Sequence, residues 1–259
     1  TLAQAWIAAG QPAANTPLLN RVLAAYYAES EEYGIDLRSE AGWREVRARY
    51  WGNITLVDRS VGAILQSLQE NGLADNTIVV FTSDHGEMAG DHCLLGKTVM
   101  YEEAIRVPLL LRVPALGRQQ RRIPGNVSQI DLLPTLLELL GESIPGGLQG
   151  VSRAPVLAGR ESLAENSVYI QWNHQDGHPL PGEAEVNPGM RTPWRCVITP
   201  DRCKLNLSAN DQCELYDLDN DPAELNNLFD DPQQQDRVTA LTGSIVEWQA
   251  TYGDRAPLP

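Results

Sequence analysis

The feature that most constrains this chain is a run of six residues, Thr77-Ile78-Val79-Val80-Phe81-Thr82, in which β-branched and aromatic side chains follow one another without polar alternation. A strand with one face in water alternates apolar and polar residues. A run without alternation reads as a strand buried on both faces of a mostly parallel sheet. A long helical pattern precedes it: Trp43, Val46, Tyr50, Ile54, Val57, Val61, Ile64, Leu65 and Leu68 recur on one face over about 28 residues, and Asn71-Gly72 closes the pattern as a C-cap. Helix, tight turn at Asp75-Asn76, buried strand and polar loop is the order of an α/β fold. In open sheets of that class ligands bind at the carboxyl edge of the strands. The step Ser83-Asp84-His85-Gly86 stands at that edge.

The rest of the chain follows the same grammar and then departs from it. A glycine-rich loop runs to Lys97, a short helical stretch covers 100–104, and a second buried strand is expected over 107–113. A loop with Arg118, Arg121 and Arg122 leads to a helix starting near Asp131, with Pro134 tolerated in its first turn. Upstream, 16–33 carries a further helical spacing. After about residue 150 the runs become short and alternating, at 167–172, 195–199, 204–207 and 214–217, which predicts a small antiparallel sheet. A last helix over 234–252 is expected to pack on it. In the sequence Asp221-Pro222-Ala223-Glu224, the aspartate reads as a helix cap, with Glu224 completing a capping box.

Composition excludes several partners. The 259 residues carry 34 acidic and 20 basic side chains, a formal net charge of −14 that repels nucleic acid and anionic membranes. No apolar run is long enough to span a bilayer. Cys93, Cys196, Cys203 and Cys213 show no CxxC spacing, and a disulfide among the last three is left open. The chain opens Thr1-Leu2-Ala3 without a signal-peptide pattern, so the sequence is expected to be a processed or partial product of unreadable compartment.

The chemistry gathers between Phe81 and Lys97. Asp84 and His85 are adjacent at a strand end; Gly86 and Gly90 are expected to free the loop for close approach to a ligand. Glu87, Asp91 and His92 add acid and imidazole, and Lys97 supplies one ammonium. A carboxylate with an imidazole can hold a divalent cation, and a lysine beside it can neutralise the oxygens of a bound sulfate or phosphate.

The string FTSDHGEMAGDHCLLGK, followed by MYEEAIRVPLLLRVP, resembles the sulfatase branch of the alkaline phosphatase superfamily. So do VSQIDLLPTLLELLG, the helix YWGNITLVDRSVGAILQSL with Asp58, and the downstream ELYDLDNDPAELNNL. The similarity covers roughly residues 43–230 in the family's order. It implies Asp84 and His85 as metal ligands, with calcium the first choice and manganese or zinc alternatives because imidazole suits those ions. It implies Lys97 as a catalytic contact to the sulfate oxygens. His92 could touch substrate or protonate a leaving group, or equally pack the loop. The fold implied is an alkaline-phosphatase-like α/β sheet flanked by helices, with 1–155 the carboxyl-terminal part of the catalytic domain and 156–259 a small α+β subdomain. The substrate implied is a small-molecule sulfate ester, such as a sulfated sugar. Family members are often exported.

The chain departs from the family in one respect with large consequences. The family nucleophile is a formylglycine made from Cys or Ser in a C/S-x-P-x-R segment, and no cysteine or serine here begins one. The paired aspartates and Pro-His step expected upstream are also missing. The chain therefore resembles a truncated, carboxyl-terminal portion, expected to be inactive alone and to need the amino-terminal half of the same protein. Exposed sheet and self-association are expected of such a portion. Two alternatives stay open: a phosphonate or phosphate diester hydrolase on the same scaffold, and a non-catalytic remnant that binds anions or partners.

Overall fold

The computed structural model describes residues 34–37, 39–117, 119–173, 193–209 and 211–259. The helix expected over 16–33, Arg118, the side chain of Cys93 and the stretch with His174, Asp176 and His178 lie outside the described residues. The rest is an α/β chain that divides into two compact units, one ending at Gly117 and one formed by the residues after it up to 173 and from 193 onward.

In the first unit, α1 (Glu40–Glu70) is a 31-residue helix, as the 3.6-residue period requires. Ser39 caps it, its Oγ accepting the Gly42 amide at 3.1 Å. Gly72, at φ +68°, lets the chain leave the C-cap at Asn71. The β-rich run becomes β1 (Val79–Thr82). After a four-residue helix α2 (Glu102–Ile105), β2 (Leu109–Arg112) returns beside β1. The pair is antiparallel, with Val79 opposite Arg112 and Thr82 opposite Leu109.

The burial expected of these strands is not met: neither is covered on both faces, with Phe81 38% and Leu110 59% exposed, and among the described residues β1 pairs with β2 alone. A run without polar alternation signals a strand meant for two-sided cover, and a two-stranded ribbon cannot supply that cover. The apolar face of α1 is likewise open, with Trp51, Ile54, Val57 and Ile64 exposed, while Trp43 is buried.

The second unit begins with α3 (Leu132–Leu139) and α4 (Ala154–Leu157). A part-buried network ties them to the sheet that follows, where Asn126 Nδ2 donates to the carbonyls of Ile198 and Thr199 at 3.3 and 3.0 Å. Asp131 Oδ2 accepts Arg153 Nε at 2.7 Å, Arg153 donates to Asn166 at 3.1 Å, and Asn166 donates to the Asn126 carbonyl at 2.8 Å. The four expected strands form: β3 (Val168–Trp172), β4 (Trp194–Ile198), β5 (Cys203–Ser208) and β6 (Glu214–Asp217). They pair antiparallel in the order β3-β4-β5-β6. One face carries Val197, Cys203, Leu205, Leu207 and Leu215, packed with Val238 and Ile245 of α5 (Gln235–Tyr252). Cys196, Cys203 and Cys213 are buried free thiols, which settles the open disulfide question. No helix among the described residues is long and apolar enough to cross a membrane.

Arg195 on β4 is buried and closes the unit. Its Nε and Nη2 donate to Asp254 Oδ2 and Oδ1 at 2.5 and 2.7 Å, a bidentate pair. The guanidinium holds the Asp254 carboxyl far below the usual carboxylate range. A depressed folded pKa contributes stability that is present above the unfolded value and lost as pH falls below it. The second unit is therefore expected to lose stability below about pH 4. Asp254→Asn is expected to be about 3 kcal/mol less stable at pH 7 and to show a flatter acid limb, read by urea unfolding across pH 3–7.

Candidate metal and anion site

Beyond Thr82 the chain leaves β1 and turns on its own side chains. Ser83 Oγ donates to the His85 carbonyl at 2.8 Å and lies 3.3 Å from Asp84 Oδ1. The His85 amide donates to Asp84 Oδ1 at 3.0 Å. That amide is the main cause of a lowered Asp84 pKa, so this exposed carboxylate stays charged.

His85 Nδ1 lies 2.8 Å from the Gly86 carbonyl. A carbonyl only accepts, so Nδ1 carries the proton and, in the neutral ring, Nε2 presents its lone pair. Nε2 sits 3.4 Å from Asp84 Oδ2. Two acceptor atoms facing each other at that distance repel unless a cation or proton lies near both. The donor chemistry thus fits a divalent ion, and the Gly86 carbonyl fixes the imidazole that would hold it. It is only part of a site. Two donors fall short of the four to eight that such ions take, and among the described residues no group of three or more His, Cys, Asp or Glu could hold a metal.

Residues 86–98 form a compact loop. The Met88 amide donates to the Gly96 carbonyl at 2.8 Å and the Gly90 amide to the Leu94 carbonyl at 2.9 Å. Arg47 on α1 donates to the Ala89 carbonyl at 3.0 Å. The glycines serve packing within the chain, where close approach to a ligand was expected. A Cβ at Gly86 would lie 1.9 Å from the Glu103 carbonyl oxygen, and one at Gly90 2.7 Å from the Trp43 ring. Ala89, His92 and Thr98 all have positive φ, at +44°, +51° and +85°. For a β-branched threonine that conformation is strained.

His92 is buried and stacks on Tyr101, centroids 3.8 Å apart and planes within 7°. Lys97 is exposed directly after Gly96. Of the four residues singled out by sequence, then, Asp84 and His85 are brought together, Lys97 projects from the loop's end, and His92 belongs to its packing. Sequence reasoning linked neither Arg47 nor Trp43 to the loop, because a contact from a helix to a loop over 40 residues away leaves no local pattern.

Comparison with known proteins identifies the family to which the fold belongs. The sulfatase family profile matches residues 8–142, and that of the N-sulphoglucosamine sulphohydrolase carboxyl-terminal region matches 90–251. A multifunctional alkaline phosphatase superfamily protein, PehA, of Trinickia caryophylli is 35% identical over 171 residues, covering 63% of this chain and 33% of its own length. Arylsulfatase K of Xenopus laevis is 34% identical over 161 residues, 61% of this chain and 30% of its own. A solved structure in complex with its substrate D-glucosamine-2-N,6-O-disulfate superposes with TM-score 0.74 at 27% identity, over 92% of this chain and 48% of that one. The phosphonate monoester hydrolase of Agrobacterium radiobacter does so with TM-score 0.67 at 31% identity, over 80% and 41%. The chain spans about a third of the length of the curated relatives it matches. With a profile match across half its length and the shared fold, this chain belongs to the sulfatase family.

Proposed function

We propose that this chain is the metal- and sulfate-binding portion of a sulfuric ester hydrolase that acts on a small sulfate ester, with a sulfated sugar as the substrate class. The observation that carries the reading is the Asp84–His85 pair, a charged carboxylate and a tautomer-fixed imidazole 3.4 Å apart at a strand's end. Family membership and a structural relative bound to a disulfated glucosamine support it. Calcium is the first choice of ion, with manganese or zinc as alternatives. When bound, the cation would polarise the ester and oppose charge that builds on the sulfate oxygens. Asp84 supplies a full negative charge to hold it, His85 an oriented lone pair, and Lys97 an exposed ammonium for the same oxygens. His92, stacked on Tyr101, holds the loop, and we assign it no proton transfer.

The nucleophile, a formylglycine in a C/S-x-P-x-R segment, and the remaining metal ligands are proposed to belong to the amino-terminal half of the same protein. Residues 1–155 would complete its catalytic domain, and 156–259 would form the small subdomain. The purified chain with calcium is expected to give no turnover of 4-nitrophenyl sulfate, whereas a full-length protein with that segment hydrolyses it. Protein-dependent turnover by the chain alone would refute this division of labour. A second reading, a phosphonate ester hydrolase, is favoured by the likeness to phosphonate monoester hydrolases. Faster hydrolysis of a phenylphosphonate ester by the full-length protein would select it.

A further inference from the structure

The loop that ends in Lys97 is closed by a carboxylate that the proposed chemistry does not use. Glu87 Oε1 accepts the Gly96 amide at 2.5 Å and the Ala89 amide at 3.3 Å. A peptide N–H on a carboxylate is a charge-assisted contact, roughly twice as strong as a neutral one. It stands beside the Met88–Gly96 backbone bond, so the two ends of the loop are pinned twice at the same level. Gly96 is the residue before Lys97. The clasp therefore fixes the peptide from which the lysine side chain springs.

The backbone around the clasp needs such a restraint. Ala89, whose amide shares the carboxylate, and Thr98, two residues beyond Gly96, both have left-handed φ. Each conformation is unfavourable by about 1–2 kcal/mol and persists only where neighbours over-determine it. On its other side the loop is already fastened, by Arg47 to the Ala89 carbonyl and by Trp43 under Gly90. Glu87 transmits that fixity across the loop to the lysine end.

We infer that Glu87 is a positioning residue for Lys97: it holds the Gly96–Lys97 peptide so that the ammonium is presented to a tetrahedral oxyanion at one place. This rests on the proposed role of Lys97. The test uses the chain itself, with amide exchange followed by NMR and titration with inorganic sulfate. In Glu87→Ala, exchange of the Gly96 amide is expected to rise at least tenfold while the Gly90 amide keeps its protection. Sulfate affinity should fall roughly tenfold, approaching the Lys97→Ala value. Glu87→Gln keeps a carbonyl acceptor and should retain both properties within about threefold. Glu87→Asp keeps the charge but withdraws it by one methylene and should behave like alanine, which carries the test if the alanine variant does not fold.

Unchanged Gly96 exchange in Glu87→Ala or Glu87→Asp would overturn the proposal. So would a glutamine variant that loses as much as alanine. A Lys97→Ala variant that binds sulfate as well as the parent would instead sink the functional reading of Lys97 and the purpose given to Glu87. The Gly96 amide reports separately on whether the clasp exists.

Discussion

Replacing Glu224 with alanine is expected to destabilise the carboxyl-terminal unit by about 3–5 kcal/mol, the cost of leaving a buried charge without its partner. Lys204 Nζ lies 2.7 Å from Glu224 Oε1, and both side chains are fully buried. The pair links the start of β5 to the turn after β6. Glu224 reaches it from a left-handed backbone, φ +51°, that only a strong tertiary contact would hold. An unpaired Lys204 ammonium, fully buried on β5, has no path to water, so the penalty should appear in full. Urea unfolding followed on the tryptophans should show the midpoint falling with an unchanged slope. The double variant Lys204→Met/Glu224→Met should recover most of the loss, because removing both charges removes the desolvation penalty as well. A loss below about 1 kcal/mol in Glu224→Ala would mean that the charge is not held in the interior.

The second large effect concerns the metal. Asp84→Ala is expected to weaken Mn²⁺ binding to the chain by about 100-fold or more, since even residues that only orient a metal's ligands are worth about 10–100-fold. Titration calorimetry or the loss of the free Mn²⁺ electron-spin signal would measure it. His85→Ala should weaken binding too, and His85→Asn should shift preference from manganese towards calcium, since an amide oxygen suits the harder ion. Ser83→Ala is the useful control. It removes the hydroxyl that braces the His85 carbonyl, 2.8 Å away, and leaves both proposed ligands in place, so its effect should be smaller. Equal Mn²⁺ affinity in Asp84→Ala and the parent would remove the metal site from this position.

What the sequence determined by itself is whatever is written in neighbours a few residues apart. The period of α1, the cap at Asn71-Gly72, the strand before Ser83, the four short strands and the final helix all follow from contacts at i+2 to i+4, and all are present. The Ser83–Gly86 step was legible for the same reason. Its hydrogen bonds join residues one or two apart, so the strand end and the Asp84–His85 pair come as one local unit.

Tertiary structure decided the rest. Asp221-Pro222-Ala223-Glu224 reads locally as a helix start with a capping box, and no helix forms there. Asp221 instead accepts the Leu225 and Asn226 amides in a turn, and Glu224 turns inward to Lys204, twenty positions earlier. Local propensity offers a cap worth about 1 kcal/mol, and the buried ion pair outweighs it. Gly86 and Gly90 suggested a loop open to a ligand, yet the space beside them is filled by the Glu103 carbonyl and the Trp43 ring. The His92 stack and the Glu87 clasp are likewise contacts between residues nine apart, beyond the reach of any periodicity. In this chain the sequence placed a carboxylate and an imidazole side by side at the end of a strand, and the packing of a distant helix against one loop fixed the backbone that leads to Lys97.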